Sequence, residues 1–114
     1  MIAFKSQNNV TDYFFIKDAT GQVKVFFKEL LFIKSEDNYI VLQTFSKKHS
    51  VRMTLERFKI DFPNSEIFQT HRSYLINKTH IEKIEGNTLF IHGIQIPISR
   101  KYKEDIKNLL FKSN

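Results

Sequence analysis

Apolar residues recur along this chain in short, closely spaced stretches: Tyr13–Lys17, Val23–Phe27, Leu31–Lys34, Tyr39–Phe45, Ser50–Met53, Ile67–Thr70, Ile81–Ile84, Thr88–His92 and Ile94–Ile98. Runs of this length, broken by turn residues, predict many short strands rather than a helical bundle. Ala19-Thr20-Gly21-Gln22, Ser46-Lys47-Lys48, Gly86-Asn87 and Gly93 are the turn signals. Ile94-Gln95-Ile96-Pro97-Ile98 alternates cleanly, and Pro97, which has no amide hydrogen to give a ladder, places it at a sheet edge. Tyr39–Phe45 is apolar on both faces, with Ile40 and Leu42 on one and Tyr39, Val41 and Phe45 on the other. A strand covered on both sides implies a middle layer, hence stacked sheets.

Two stretches change period. Thr54 is a good N-cap, Glu56 suits the positive end of a helix dipole, and Leu55, Phe58 and Phe62 form a stripe before Pro63-Asn64 ends it. A second helix runs from a Ser99 cap to about Phe111, with Tyr102, Ile106, Leu109 and Leu110 inward. The fold class expected is therefore mainly β, with short helices near 54–62 and 100–111. Residues 1–11 read as a flexible segment or linker, and residues 12–114 as one domain.

Composition supports a packed core. Of 114 residues, 41% are apolar and 14% aromatic, with twelve Phe, fourteen Ile and five Gly plus Pro. Beta-branched and aromatic side chains suit pleated surfaces. No apolar run exceeds four residues, far short of the roughly 20 of a membrane span or the 7–15 or so of a signal-peptide core. Zero cysteine removes disulfides, cysteine nucleophiles and thiolate zinc sites together. These features point to a soluble, cytoplasmic protein. The net charge of +6 favours a polyanionic partner, nucleic acid before membrane. That charge is spread evenly, +3 in residues 1–64 and +3 in residues 65–114, so no basic tail supplies it.

Catalytic and metal motifs are missing from the sequence. His49, His71, His80 and His92 form no HxH, HxxxH or HExxH pair, and three glycines cannot build a phosphate-cradling loop. His71-Arg72-Ser73 suggests a nucleophile beside a base, but neighbours on an extended strand point to opposite faces. Neither a cofactor nor a metal is expected.

Bases do meet polar loops in three places. They are Lys34-Ser35-Glu36-Asp37-Asn38, the segment Gln69–Lys78, and Ser99-Arg100-Lys101-Tyr102-Lys103 at a strand-to-helix junction. Arg72 and Arg100 are two of only four arginines. A guanidinium can bond two acceptors on a guanine edge or bridge phosphates, Asn38 suits an adenine edge, and Lys34, Lys78, Lys101 and Lys103 can neutralise phosphates. A second basic group, Lys47, Lys48, Arg52, Arg57 and Lys59, straddles a hairpin and a helix and is a weaker candidate.

These segments carry a resemblance. Phe32–Ile40 resembles the ES-x-x-NY segment of LytTR-type DNA-binding domains, and Val51-Arg52-Met53-Thr54-Leu55 resembles their R-x-T-L helix entry. Phe68–Asn77 is similar to the family's F-x-x-(I/V)-H-R-S-Y-(L/I)-V-N motif, and Ile96–Tyr102 to its (I/L)-P-(I/V)-S-R-x-Y. Four motifs occur in order, with Lys34 where Glu is common and Thr70 where Val or Ile is common. The resemblance implies an elongated stack of small antiparallel sheets whose loops enter adjacent grooves of double-stranded DNA. By motif position, Asn38, Arg72 and Arg100 are DNA contacts, with His71, Tyr74, Asn77 and Ser99 supporting their loops. It further implies a bacterial transcription regulator, non-enzymatic, bound to repeated half-sites, self-associating on DNA and joined to a receiver domain. The 114 residues leave no room for that receiver, so the chain is expected to be a free-standing regulator or a fragment of one. The rival readings are a β-barrel binding single-stranded nucleic acid or RNA through exposed aromatics, and, remotely, a small hydrolase around His71.

Overall fold

The computed structural model describes residues 12–111; the expected linker 1–11 lies outside them. Ten strands and two helices follow in order: β1 (Tyr13–Asp18), β2 (Gly21–Phe26), β3 (Leu30–Glu36), β4 (Tyr39–Thr44), β5 (Lys48–Val51), α1 (Leu55–Asp61), β6 (Ile67–His71), β7 (Tyr74–Asn77), β8 (Lys83–Glu85), β9 (Thr88–Ile91), β10 (Ile94–Pro97) and α2 (Arg100–Phe111). Short 3-10 turns at Phe27–Glu29 and Lys78–His80 join β2 to β3 and follow β7. All pairings are antiparallel. They give a β1-β2 hairpin, a five-stranded sheet in the order β5-β4-β3-β7-β6, and a three-stranded sheet β10-β9-β8.

The five-stranded sheet is the middle layer. One face meets β1-β2 and α1 through Phe14, Ile16, Ile33, Ile40, Leu42, Phe58 and Leu75. The other meets the three-stranded sheet and α2 through Leu31, Ile76, Leu89, Ile91, Ile96 and Ile106. Phe58 is fully buried against Phe14 and Phe62, with ring centroids 5.4 and 5.1 Å away. Truncating so enclosed a ring would cost about 3–5 kcal/mol.

Two sequence expectations need correction. The strands covered on both faces are β3 and β7, not β4, whose outer face leaves Tyr39 42% exposed. The three-stranded sheet packs mainly on β3 and β7, leaving an open groove over the outer face of β4 that Val41, Gln43 and Ile94 line. Second, Gln69–Lys78 is no continuous loop. It is the β6-β7 hairpin, in which only Arg72-Ser73 turns. Tyr74-Leu75-Ile76-Asn77 carries no apolar alternation because both its faces are covered, with Leu75 in one core and Ile76 in the other. The expected stack of small antiparallel sheets is present, with extents of 39 × 36 × 24 Å.

Two bulges tune the middle sheet. Register slips between Leu30 and Phe32, which lets Leu30 and Ile33, three residues apart, share one core while Leu31 enters the other. A second slip between Gln69 and His71 leaves Thr70 as the extra residue, fully buried. Both helices lie where expected. Thr54 Oγ1 accepts the Arg57 amide at 3.0 Å, and Pro97 sits in edge strand β10.

Candidate nucleic-acid interface

One end of the middle sheet collects the turns that the sequence leaves 34 and 28 residues apart. Glu36 pairs with Tyr39, so Asp37-Asn38 is a two-residue turn, with Asp37 at φ 55°, a left-handed conformation that Asp tolerates better than most residues. His71 pairs with Tyr74, so Arg72-Ser73 is a second such turn beside it. The two are joined where the Ser35 amide donates to the Ser73 carbonyl at 2.9 Å. The Thr70 bulge supplies the third link: its displaced carbonyl accepts the Ser99 amide at 2.8 Å, fixing the start of α2 beside the Arg72 turn. Asn38, Arg72 and Arg100 thus stand exposed at one end, carried by sheet and helix termini rather than by long loops.

Two arginines are free for a ligand there. Among the described residues Arg72 and Arg100 enter no ion pair, whereas Arg57 is held by Asp61 at 3.0 Å through both Nε and Nη2. His71 shapes the second turn: its Nδ1 accepts the Ser73 amide at 3.1 Å, and its ring meets Tyr74 edge-on, 5.9 Å between centroids. A ring nitrogen engaged as an acceptor of a backbone amide is a poor general base. Tyr74 is half-buried against the second core and lies 5.9 Å from Lys34 Nζ. Lys34 itself sits 3.8 Å from Glu36. Lys101 is exposed in the first turn of α2, its ammonium 5.3 Å from the Tyr102 ring.

Other expected site residues fall elsewhere. Lys78 lies beyond the far end of β7, a strand roughly 13 Å long, and pairs with Glu66 at 3.7 Å. Lys103 points to the β8-β9 turn, donating to Asn87 Oδ1 at 2.8 Å. Asn77 also occupies the far end of β7, buried, where Nδ2 donates to the Phe27 and Leu30 carbonyls at 2.9 Å each. Its Oδ1 accepts the Thr79 amide and hydroxyl at 3.1 and 2.8 Å. It braces the β2-β3 junction, not the Arg72 turn. Ser99 acts through its backbone, its carbonyl accepting the Tyr102 amide at 3.0 Å; no hydroxyl bond to it is found among the described residues. The second basic group is divided as well. Lys59 donates to Gln69 at 2.8 Å, Lys47 and Lys48 lie at the β4-β5 turn on the opposite end, and Arg52 alone reaches the Asn38 end. Sequence reasoning missed the Thr70 carbonyl because a bulge leaves no side-chain signature.

A thin slab of three stacked antiparallel sheets, presenting an arginine turn, a polar turn and a basic helix start at one end, defines a scaffold for gripping an extended anionic surface. A model of the LytTr DNA-binding domain matches residues 20–111, and the chain belongs to that family. It is similar to the sensory transduction protein LytT of Bacillus subtilis (strain 168), 29% identical over 89 residues that cover 73% of this chain and 37% of the relative. It is likewise similar to the sensory transduction protein LytR of Streptococcus agalactiae serotype V, 29% identical over 101 residues covering 83% and 40%. The chain therefore spans about two fifths of the length of these relatives. Its fold matches a solved LytTr DNA-binding domain of a putative methyl-accepting/DNA response regulator from Bacillus cereus, with TM-score 0.75, 21% identity, and coverage of 89% and 98%. No helix among the described residues is long and apolar enough to cross a membrane.

Proposed function

We propose that the chain binds double-stranded DNA sequence-specifically, as the output unit of a bacterial transcription regulator, through the end of the middle sheet that carries Asn38, Arg72 and Arg100. The observation that carries this reading is the pair of backbone bonds, Ser35 to Ser73 and Ser99 to Thr70, that tie three turns into one rigid edge. Recognition needs register as well as charge, and side chains on fixed sheet ends hold it better than a basic tail. Asn38, Arg72 and Arg100 read base edges; Lys101, Lys34 and the first-turn amides of α2 meet phosphates. Lys78 and Lys103 have their ammonium groups engaged away from this edge and are secondary, and His71 serves the turn rather than catalysis. Repeated half-sites, self-association on DNA and a receiver domain in a longer protein complete the proposal.

The single-strand reading is less well supported. Tyr13 and Phe15, about half exposed, lie on the outer face of β1, near the junction where the Phe27 amide meets the Asp12 carbonyl. Phe45 is held near there too, its amide bonded to the Glu29 carbonyl. Both places are remote from the Arg72 turn; of the exposed aromatics among the described residues Tyr39 alone stands at this edge, and a single ring is no platform for successive bases. Selection of bound duplexes from a random pool, followed by gel-shift titration at several salt concentrations, tests the main reading. Arg72→Ala and Arg100→Ala should each cost about 1–3 kcal/mol on the selected duplex and relax specificity at one position. Equal affinity for selected and random duplexes throughout would sink it.

A further inference from the structure

We propose that Arg52, steadied on the ring of Tyr39, is a phosphate-clamping residue that flanks the Asn38 turn; the inference rests on the DNA-binding reading above. Ile40 and Val51 form the last pair of the β4-β5 ladder, so Tyr39 and Arg52 flank each other one residue beyond it, next to Asp37-Asn38. The Arg52 guanidinium lies 5.6 Å from the Tyr39 ring centroid. Tyr39 is 42% exposed, its outer side open to solvent. Among the described residues Arg52 has no carboxylate partner, unlike Arg57. A cation–π contact costs the guanidinium none of its hydrogen-bond donors, so the fork stays available while its rotamers are restricted.

Charge at the turn gives Arg52 its task. Asn38 follows two carboxylates, Glu36 and Asp37, both exposed. Lys34, 3.8 Å from Glu36, offsets one. With Lys34 alone, the segment carrying Asn38 would approach a polyanion with a net negative charge. Arg52 supplies the second positive charge on the adjoining strand.

Spacing selects phosphate over base. Strands lie about 4.8 Å apart, so Arg52 sits about 7 Å to the side of the β3-β4 turn. The major groove is about 12 Å wide, so a residue about 7 Å from one reading its floor meets the wall, where the phosphates are. The sheet end then spans more than its three reading turns, with Arg52 at one flank and Arg100 and Lys101 at the other.

The test measures binding of Arg52→Ala to a duplex selected by the wild-type chain and to a random duplex of equal length, from 50 to 200 mM salt. Loss of one phosphate contact lowers the salt slope by about 0.9. The wild-type advantage should therefore be about 3.5-fold larger at 50 than at 200 mM, with the ratio of selected to random affinity unchanged. Arg52→Lys should restore most of the slope, and Tyr39→Ala should weaken both duplexes while Tyr39→Phe does not. If Arg52→Ala lowers the melting temperature, Arg52→Gln, which retains the apolar stem, carries the same measurement. An unchanged slope overturns the proposal, and so does a changed selected-to-random ratio, which would make Arg52 a base reader. Arg72→Ala separates the two claims: if it loses discrimination while Arg52→Ala changes nothing, DNA binding stands and the clamp falls. If the wild type prefers no duplex, the underlying reading fails.

Discussion

Replacing Asn77 should destabilise this domain without touching its DNA-facing edge. The side chain is 2% exposed and makes four hydrogen bonds, two donated to the carbonyls of Phe27 and Leu30 and two accepted from Thr79. Thr79 is exposed and can turn to water. The Phe27 carbonyl keeps a second donor in the Leu30 amide. The loss in Asn77→Ala is thus two buried bonds at about 1 kcal/mol each, plus up to about 1 kcal/mol for the Leu30 carbonyl left short of a partner, or about 2–3 kcal/mol together. For a domain of this size that lowers the melting temperature by roughly 8–24 °C. Asn77→Asp should be worse, because an oxygen replaces the donor facing two carbonyls and a charge is buried. Urea denaturation gives the free energy. A midpoint shift with an unchanged slope would mark a stability change alone. At a temperature where both proteins are folded, duplex affinity should match wild type, since Asn77 is at the far end of β7 from Arg72. A loss below about 0.5 kcal/mol would refute the bracing role. Impaired DNA binding by a fully folded variant would refute the separation of brace from edge.

Three further outcomes follow from the same geometry. Thr70→Val should raise stability by about 1 kcal/mol, because the buried Thr70 hydroxyl has no partner among the described residues and Val fills its space without an orphaned polar atom; a lower urea midpoint would contradict this. Asp18 is held at a pKa of about 2, below its ordinary 3.8, by the Thr20 hydroxyl first and His49 second. A lowered carboxylate pKa gives stability that is present above about 3.8 and lost as pH falls toward about 2. Denaturation of wild type and Asp18→Asn across that window should show the gap between them closing as pH falls, and a constant gap would exclude the linkage. His71→Ala removes the acceptor of the Ser73 amide and should weaken binding to the selected duplex more than to a random one, with little change in melting temperature; equal weakening of both would assign His71 to charge rather than to turn shape.

Much of the fold is legible along the chain because it is written in local chemistry. Short β-branched and aromatic stretches, Thr54 before Leu55, and Pro97 at a strand end act within a few residues, and each appears as expected. β7 escaped because a strand buried on both faces loses the alternation that marks a half-buried one, and its HRSY lead-in reads as a polar loop. Lys78 and Lys103 read as DNA contacts, and Asn77 as a support of the Arg72 loop, because neither closeness in sequence nor motif position tells which end of a strand a side chain serves. A four-residue strand and one helical turn carry them away from the interface.

The sequence by itself determined which residues could bind an anionic partner, the β character of the scaffold, and the family that orders its four motifs. Only the tertiary structure decided which of those residues work together. Side-chain type is local, but convergence depends on sheet order, β5-β4-β3-β7-β6, and on two bulges that shift register by one residue. The Thr70 bulge turns a carbonyl outward to meet Ser99, so the Arg72 turn and Arg100 share an edge. The same pairing places Arg52 beside Asn38 and sends Lys78 to the opposite end. Hydrogen-bond register between strands distant in sequence, rather than the charge those strands carry, is the physical reason Arg52, Arg72, Arg100 and Lys101 come to share one edge with Asn38.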